Sequence, residues 1–264
     1  VNRDPFAPGY GSSFYDYLVT ARPDLLPAAT HLPPGTAPAP IPNVAHGTTV
    51  LALRFADGVV LAGDRMASDG HQVSSRRIDK VIPTDSFSAM AISGAVGPCL
   101  EMAKLFATEL EYYEKIEGRA LSLSGKANKL GQMVRGNLPL ALQGLAVIPL
   151  FAGYDPERDT GRVFKYDVAG GRTEETDFVA AGSGSMQAKG VLKRRFADGM
   201  DQQEAVTVAL EAILDAADDD LGTGGPDPAR GIFPSVLVIT GEGSQEVPEA
   251  TVKALSGDRP AGEE

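Results

Sequence analysis

The stretch PNVAHGTTVLALRFADGVVLAGDR, residues 42–65, sets Thr48 and Thr49 directly after His46-Gly47 and ahead of the first clear strand pattern of the chain. A threonine hydroxyl is a weak nucleophile until a base takes its proton, and one solution uses the α-amino group of the same residue. An α-amine has an ordinary pKa of about 7.7–8.0, so part of it is neutral near physiological pH. In an uncut chain that nitrogen is an amide and cannot act as a base. Cleavage of Gly47-Thr48 would therefore place nucleophile and base on one residue. The same letters also read as a linker that ends at His46-Gly47, followed by two threonines of ordinary β propensity. The local sequence leaves both readings open.

The elements that must position Thr48 are legible from hydrophobic spacing. Nine of the nineteen prolines fall in residues 1–47, and HLPPGTAPAPIPNVAHG has neither helical nor strand periodicity, which predicts an extended, exposed leader. Within it, SSFYDYLVTARPDLL has a serine N-cap and apolar Phe14, Leu18 and Val19, the pattern of a short amphipathic helix. After Thr48, TTVLALRFADGVVLAGDR reads as a hairpin turning at Ala56-Asp57-Gly58, and KVIPTDSFSAMAISG reads as two further strands. Helices are predicted in PCLEMAKLFATELEYYEKIEG and LSGKANKLGQMVRGNLPLAL. Strands follow in AVIPLFAGYD and GRVFKYDVAGG, helices in SMQAKGVLKRRFADG and DQQEAVTVALEAILDAADDD, and a strand in FPSVLVITGEG. Runs of strands and runs of helices, without strict alternation, predict an α+β fold with antiparallel sheets. A four-layer α-β-β-α sandwich, two sheets each covered by a helix pair, would bury every apolar face named. The polar segment from about residue 243 onward, ending in SGDRPAGEE, is expected to be a flexible tail.

Composition removes several function classes. With 24 Lys+Arg against 35 Asp+Glu the net charge is -11, which opposes attraction to nucleic acid or to an anionic membrane. A single cysteine, Cys99 in AISGAVGPCL, allows no internal disulfide and no cysteine zinc site, and it reads as a small buried apolar residue suited to a reducing cytoplasm. His31, His46 and His71 form no HxxxH or HxH pair, so no metal is expected. GSGS at 182–185 lacks the third glycine of a dinucleotide loop and the Gly-Lys-Ser/Thr of a P-loop, and no cofactor is expected. Asp218-Asp219-Asp220, with Asp227 nearby, could bind a divalent ion, but consecutive aspartates at a helix end cannot all face one ion. A solvated helix terminus with Asp220 turned inward is the preferred reading.

The stretch HGTTVLALRFADGVVLAGDRMASDGHQVSSRRIDKVIPTDSFSAMAISGAVG resembles the start of a mature proteasome β subunit, with the N-terminal threonine at Thr48, Gly-Asp-Arg at 63–65 and a lysine at Lys80. PLFAGYD, AAGSGSMQAKGVLK and DAADDDLGTGGPDPARGIFPSVLVIT resemble the actinobacterial type of that subunit in order and spacing, so the likeness covers roughly residues 46–242. The resemblance implies the fold of the N-terminal-nucleophile hydrolases and a threonine endopeptidase, with residues 1–47 a propeptide removed by autolysis between Gly47 and Thr48 and residues 48–264 the catalytic domain. It gives Thr48 the roles of nucleophile and base, puts Asp64 and Lys80 beside it, and makes the Gly94 N–H the oxyanion donor. It adds Ser183, Asp220 and Thr223 as a hydroxyl and carboxylate network, with threonine at 223 where many relatives carry serine. Ala67, Ile78, Ile92, Val96 and Leu100 match the lining of the first substrate pocket; all are apolar, which favours cleavage after hydrophobic residues.

The resemblance further implies stacked seven-membered rings of proteasome α and β subunits, an ATPase ring that feeds them, and protein substrates carrying a small ubiquitin-like tag, all in the cytoplasm and without cofactor or metal. By residue types alone, Asp64 and Lys80 also read as a surface ion pair and Gly94 as a strand-to-helix turn. A non-catalytic ring subunit is a rival reading, but one expected to lose Thr48 or Lys80. An uncut binding arm at residues 1–47 is a second. The simpler two-ring threonine protease also starts with two threonines, but lacks DDDLGTGGPD and the long C-terminal extension.

Overall fold

The computed structural model describes residues 47–69 and 72–257. The helix expected in residues 12–26, the three histidines and the last seven residues lie outside them. The first sheet starts with the expected hairpin, β1 (Thr49–Phe55) and β2 (Gly58–Gly63). A short hairpin of β3 (Ala67–Asp69) and β4 (Gln72–Ser75) follows, then β5 (Val81–Asp85) and β6 (Ser88–Ala91). Helices α1 (Val96–Glu117), α2 (Leu123–Gly136) and the single turn α3 (Leu138–Ala141) precede β7 (Leu150–Asp155), β8 (Thr160–Tyr166), β9 (Arg172–Glu175) and β10 (Phe178–Gly182). The chain continues through α4 (Ser185–Arg195), α5 (Gln202–Asp219), β11 (Ser235–Thr240), β12 (Gly243–Glu246) and α6 (Glu249–Gly257).

Two antiparallel five-stranded sheets, ordered β10-β1-β2-β11-β12 and β5-β6-β7-β8-β9, form the inner layers of the predicted α-β-β-α sandwich. The reason lies in strand alternation: successive side chains point to opposite faces, and here both faces are apolar. Leu51, Leu53, Phe55, Val60 and Ala62 pack outward on α4 and α5, while Val50, Ala52, Val59 and Leu61 pack inward on the second sheet. In the second sheet Met90, Phe151, Phe164 and Tyr166 face α1 and α2, and Ala89, Ala91, Ala152 and Val163 face inward. Each fully buried leucine or phenylalanine adds about 1.5–3 kcal/mol. Small inward residues let the sheets approach closely: a Cβ on Gly161 would lie 2.3 Å from the Gly58 carbonyl oxygen.

Two expectations need correction. The helix predicted through LSGKANKLGQMVRGNLPLAL breaks at Asn137, because Pro139 has no N–H and the chain restarts as one turn. The segment from residue 243, expected to be a flexible tail, forms β12 on the sheet edge and then α6, whose Val252 is 2% exposed in the core beside α5. Main-chain pairing and one buried valine anchor a stretch whose composition is polar. Among the described residues, no helix is long and apolar enough to cross a membrane.

Candidate active site

Strand register brings the expected residues to one end of the sandwich. In the β1–β10 pairing Thr49 faces Gly182, so Thr48 and Ser183 are the next pair along, joined by Ser183 N–H to Thr48 O at 2.8 Å. On the other side Val50 faces Gly63, and Asp64 N–H donates to Thr49 O at 3.1 Å. Lys80 precedes β5 in the second sheet, with its carbonyl held by Ile92 N–H at 2.8 Å. Its side chain crosses to the first sheet. The loop after α5 supplies Asp220 and Thr223.

Lys80 Nζ donates to Asp64 Oδ1 at 2.7 Å and to Met66 O at 2.5 Å, and the pair is closed to solvent, with Asp64 0% and Lys80 1% exposed. The surface ion-pair reading is thereby set aside. Asp64 also accepts from three backbone N–H groups, Thr49 at 2.8 Å, Met66 at 2.9 Å and Gly224 at 3.0 Å. Such a carboxylate is fully satisfied even though desolvated. Burial pulls the Lys80 ammonium below the ordinary lysine pKa, and the charges of Asp64 and Asp220 offset part of that shift.

The second network runs through hydroxyls. Ser183 Oγ donates to Asp220 Oδ2 at 2.5 Å, Thr223 Oγ1 donates to the same oxygen at 2.6 Å, and Gly222 N–H reaches Asp220 Oδ1 at 3.2 Å. Asp220 therefore turns inward, as the sequence suggested. The Thr48 nitrogen donates to Ser183 Oγ at 3.3 Å. Thr48 Oγ1, on a residue 2% exposed, donates to the Gly47 carbonyl oxygen at 2.6 Å. Gly47 itself has no room for a side chain: a Cβ would lie 2.4 Å from Ser68 Oγ and 2.5 Å from Gly222 Cα.

Gly94 occupies φ 113°, and a Cβ there would lie 2.2 Å from the Ala146 carbonyl oxygen. Its bridge to Val147 is made by its neighbours, Ala95 N–H to Ala146 O and Ile148 N–H to Ser93 O, both at 2.9 Å, so Gly94 N–H takes no part in either bond. Gly94→Ala combines left-handed strain with a backbone clash, and thermal unfolding should show a loss of about 1–3 kcal/mol. An unchanged melting temperature would mean that the turn can relax around a methyl group.

The five pocket positions are less uniform than their apolar character suggested. Ala67 lies buried in β3, Ile78 and Val96 are half-buried, and Leu100 is 37% exposed. Ile92, 3% exposed, packs under α1 with Cys99 and Met102, so most of its surface belongs to the core. Cys99 is 1% exposed, donates to Ser93 O, and burial pushes its thiol up to about 12, which suits a packing residue. Sequence reasoning missed Thr49, which is wholly buried and bonded on both sides within the site. The only signal for it was the second letter of Thr-Thr, which β propensity already explains.

A family profile described as "Proteasome subunit" matches residues 44–227. A "Proteasome subunit beta" of Frankia alni is 50% identical over 252 residues, 94% of this chain and 90% of that protein. That of Streptomyces griseus is 52% identical over 234 residues, 88% and 82% of the two chains, and that of Acidimicrobium ferrooxidans 53% over 214 residues, 81% and 78%. Half of all aligned positions are shared along most of the length, and the chain belongs to the proteasome subunit family, among its β subunits.

Proposed function

We propose that the chain is the peptidase subunit of a proteasome core particle and acts as a threonine endopeptidase after cutting itself between Gly47 and Thr48. The observation that carries this reading is the Thr48 hydroxyl lying 2.6 Å from the carbonyl oxygen of Gly47, whose C–N bond to Thr48 must break. In that step Oγ1 rotates onto the Gly47 carbon, the C–N bond opens to an ester, and the Oγ1 proton passes to the leaving nitrogen, which becomes a free α-amine. Water hydrolyses the ester, Gly47 departs as a carboxylate, and Thr48 begins the mature chain. The same amine then serves as base for Oγ1 when a substrate peptide occupies the site, and later as the acid that protonates the leaving nitrogen. A water molecule, deprotonated by that amine, resolves the acyl ester.

Around this centre, Lys80 supplies positive potential held in place by Asp64, and Ser183, Asp220 and Thr223 orient the nitrogen. The Gly94 N–H is the donor for the developing oxyanion, a role worth a few kcal/mol of barrier, about 2.7–4 where one such donor has been removed. Ala67, Ile78, Val96 and Leu100, floored by Ile92, receive an apolar substrate side chain. The relatives carry the name of a proteasome subunit, which supports assembly with α and β subunits into stacked rings. An ATPase ring and tagged, unfolded protein substrates in the cytoplasm complete the reading.

Intact mass of the chain before and after mixing with an α partner tests it. Loss of the 47 leading residues together with new peptidase activity is the expected result. An uncut, inactive chain in a complete assembly would make the leader a permanent arm and remove the enzyme assignment.

A further inference from the structure

Thr49 takes no part in the reaction as set out above, yet it is 0% exposed and each of its polar atoms is engaged inside the site. Its N–H donates to Asp64 Oδ1 at 2.8 Å and its carbonyl accepts from Asp64 N–H at 3.1 Å. Its hydroxyl lies 2.6 Å from Thr223 Oγ1 and accepts from Gly184 N–H at 3.1 Å.

Counting protons assigns a direction to these contacts. Thr223 has one hydroxyl proton, and an ionised carboxylate can only accept, so that proton goes to Asp220 Oδ2. The Thr49 contact must then be filled by the Thr49 proton, while a Thr49 lone pair takes Gly184 N–H. One hydroxyl thus ties Gly184, the neighbour of Ser183, to Thr223, on the same loop as Asp220. The Ser183–Asp220 bond spans the same two segments. At 2.5 Å it takes the only Ser183 proton in preference to the Thr48 carbonyl oxygen, which lies 3.3 Å from Oγ, and it turns a lone pair toward the Thr48 nitrogen, also 3.3 Å away.

We infer that Thr49 is a positioning residue: its hydroxyl holds the Ser183-Gly184 turn and the Asp220–Thr223 loop at the separation that makes Ser183 accept from the Thr48 nitrogen. The consequence is chemical and rests on the proposed threonine mechanism. A serine that donated to the freed amine would occupy the lone pair that has to take the Oγ1 proton. A serine that accepts leaves it open.

Thr49→Val keeps the shape and removes the hydroxyl, and Thr49→Ser keeps the hydroxyl and removes the methyl. Both are compared with wild type in the fully assembled particle, with kcat counted per active site by titration with a covalent inhibitor. The expected result for valine is a fall in kcat of about tenfold, the effect of losing one hydrogen bond from the transition state, with KM within about twofold of wild type. Serine should restore kcat. Should valine prevent assembly, Thr49→Ala removes the same hydroxyl and is read by the same outcomes. An active wild type whose hydroxyl-free variant has unchanged kcat, or a serine variant as slow as the valine one, overturns the inference and leaves the peptidase reading intact. A wild-type particle that is uncut and inactive overturns both.

Discussion

A Thr48→Ala chain should assemble with its α partner, keep residues 1–47, and hydrolyse peptides at least about 10⁴-fold more slowly than wild type. The residue proposed to open the Gly47 peptide bond is the same one proposed to attack substrates, so one atom controls both events. Alanine removes Oγ1 and its bond to the Gly47 oxygen, while the strand contacts made by the Thr48 backbone remain. The loss of stability should therefore be about 1 kcal/mol, which separates chemistry from folding. Intact mass and melting temperature read the two effects independently. Removal of residues 1–47 from the alanine chain in the absence of other proteases would end the autolytic reading. Thr48→Ser, which keeps an oxygen at that position, should restore cutting in part.

Lys80→Met should produce the second large effect, slower removal of the leader and, in the chains that are cut, a fall in activity of about 10²–10⁴-fold, the range for losing a group that assists proton transfer. Removing one partner of a buried ion pair usually costs about 3–5 kcal/mol, because the other charge is stranded. Here Asp64 keeps three backbone N–H donors, so the loss should lie at or below the lower end and the variant should still fold. The pH dependence follows from the same burial. The folded protein holds the Lys80 proton less tightly than the unfolded chain does, since its pKa lies below the ordinary 10.5. In the window between the lowered value and 10.5 the unfolded chain binds more protons, so this group makes stability rise with pH. Activity should fall through the lowered value as the ammonium is lost. Opposite trends of melting temperature and kcat in that alkaline window are expected in wild type, and the kcat limb should vanish in Lys80→Met. Parallel trends would assign the alkaline limb to global unfolding.

Hydrophobic period marked the runs of strands and helices, and the sandwich followed from the need to bury every apolar face among them. Runs such as VLALRF and GVVLAG are apolar on both faces and can be satisfied only between two layers, and α1 and α5 carry their buried residues at helical spacing. The polar hairpin β3–β4, strand β9 and the pair β12 and α6 were not legible, because main-chain pairing and, in the last case, buried Val252 with half-buried Val247 and Leu255 hold them, too few apolar side chains to set a pattern. Among the site residues, Thr48 could be read as chemically competent from its type and its position after Gly47. The types of Asp64 and Lys80 said nothing about burial, and a surface pair was the simpler expectation.

What the sequence determined by itself was therefore the list of groups and the layers that carry them. Tertiary structure decided which of those groups meet, and which of them, such as Thr48, Asp64 and Lys80, are closed to solvent. The register of β1 between β2 and β10 sets Thr48 beside Ser183 and Asp64, and the closing of two sheets brings Lys80 across to Asp64. These contacts link residues 16, 135 and 37 positions apart. No local preference of the chain encodes such separations; they follow from burying both faces of each sheet at once. Thr49 shows the same division in one residue. Its β propensity placed it in a strand, but only the enclosing loops made its hydroxyl a tether.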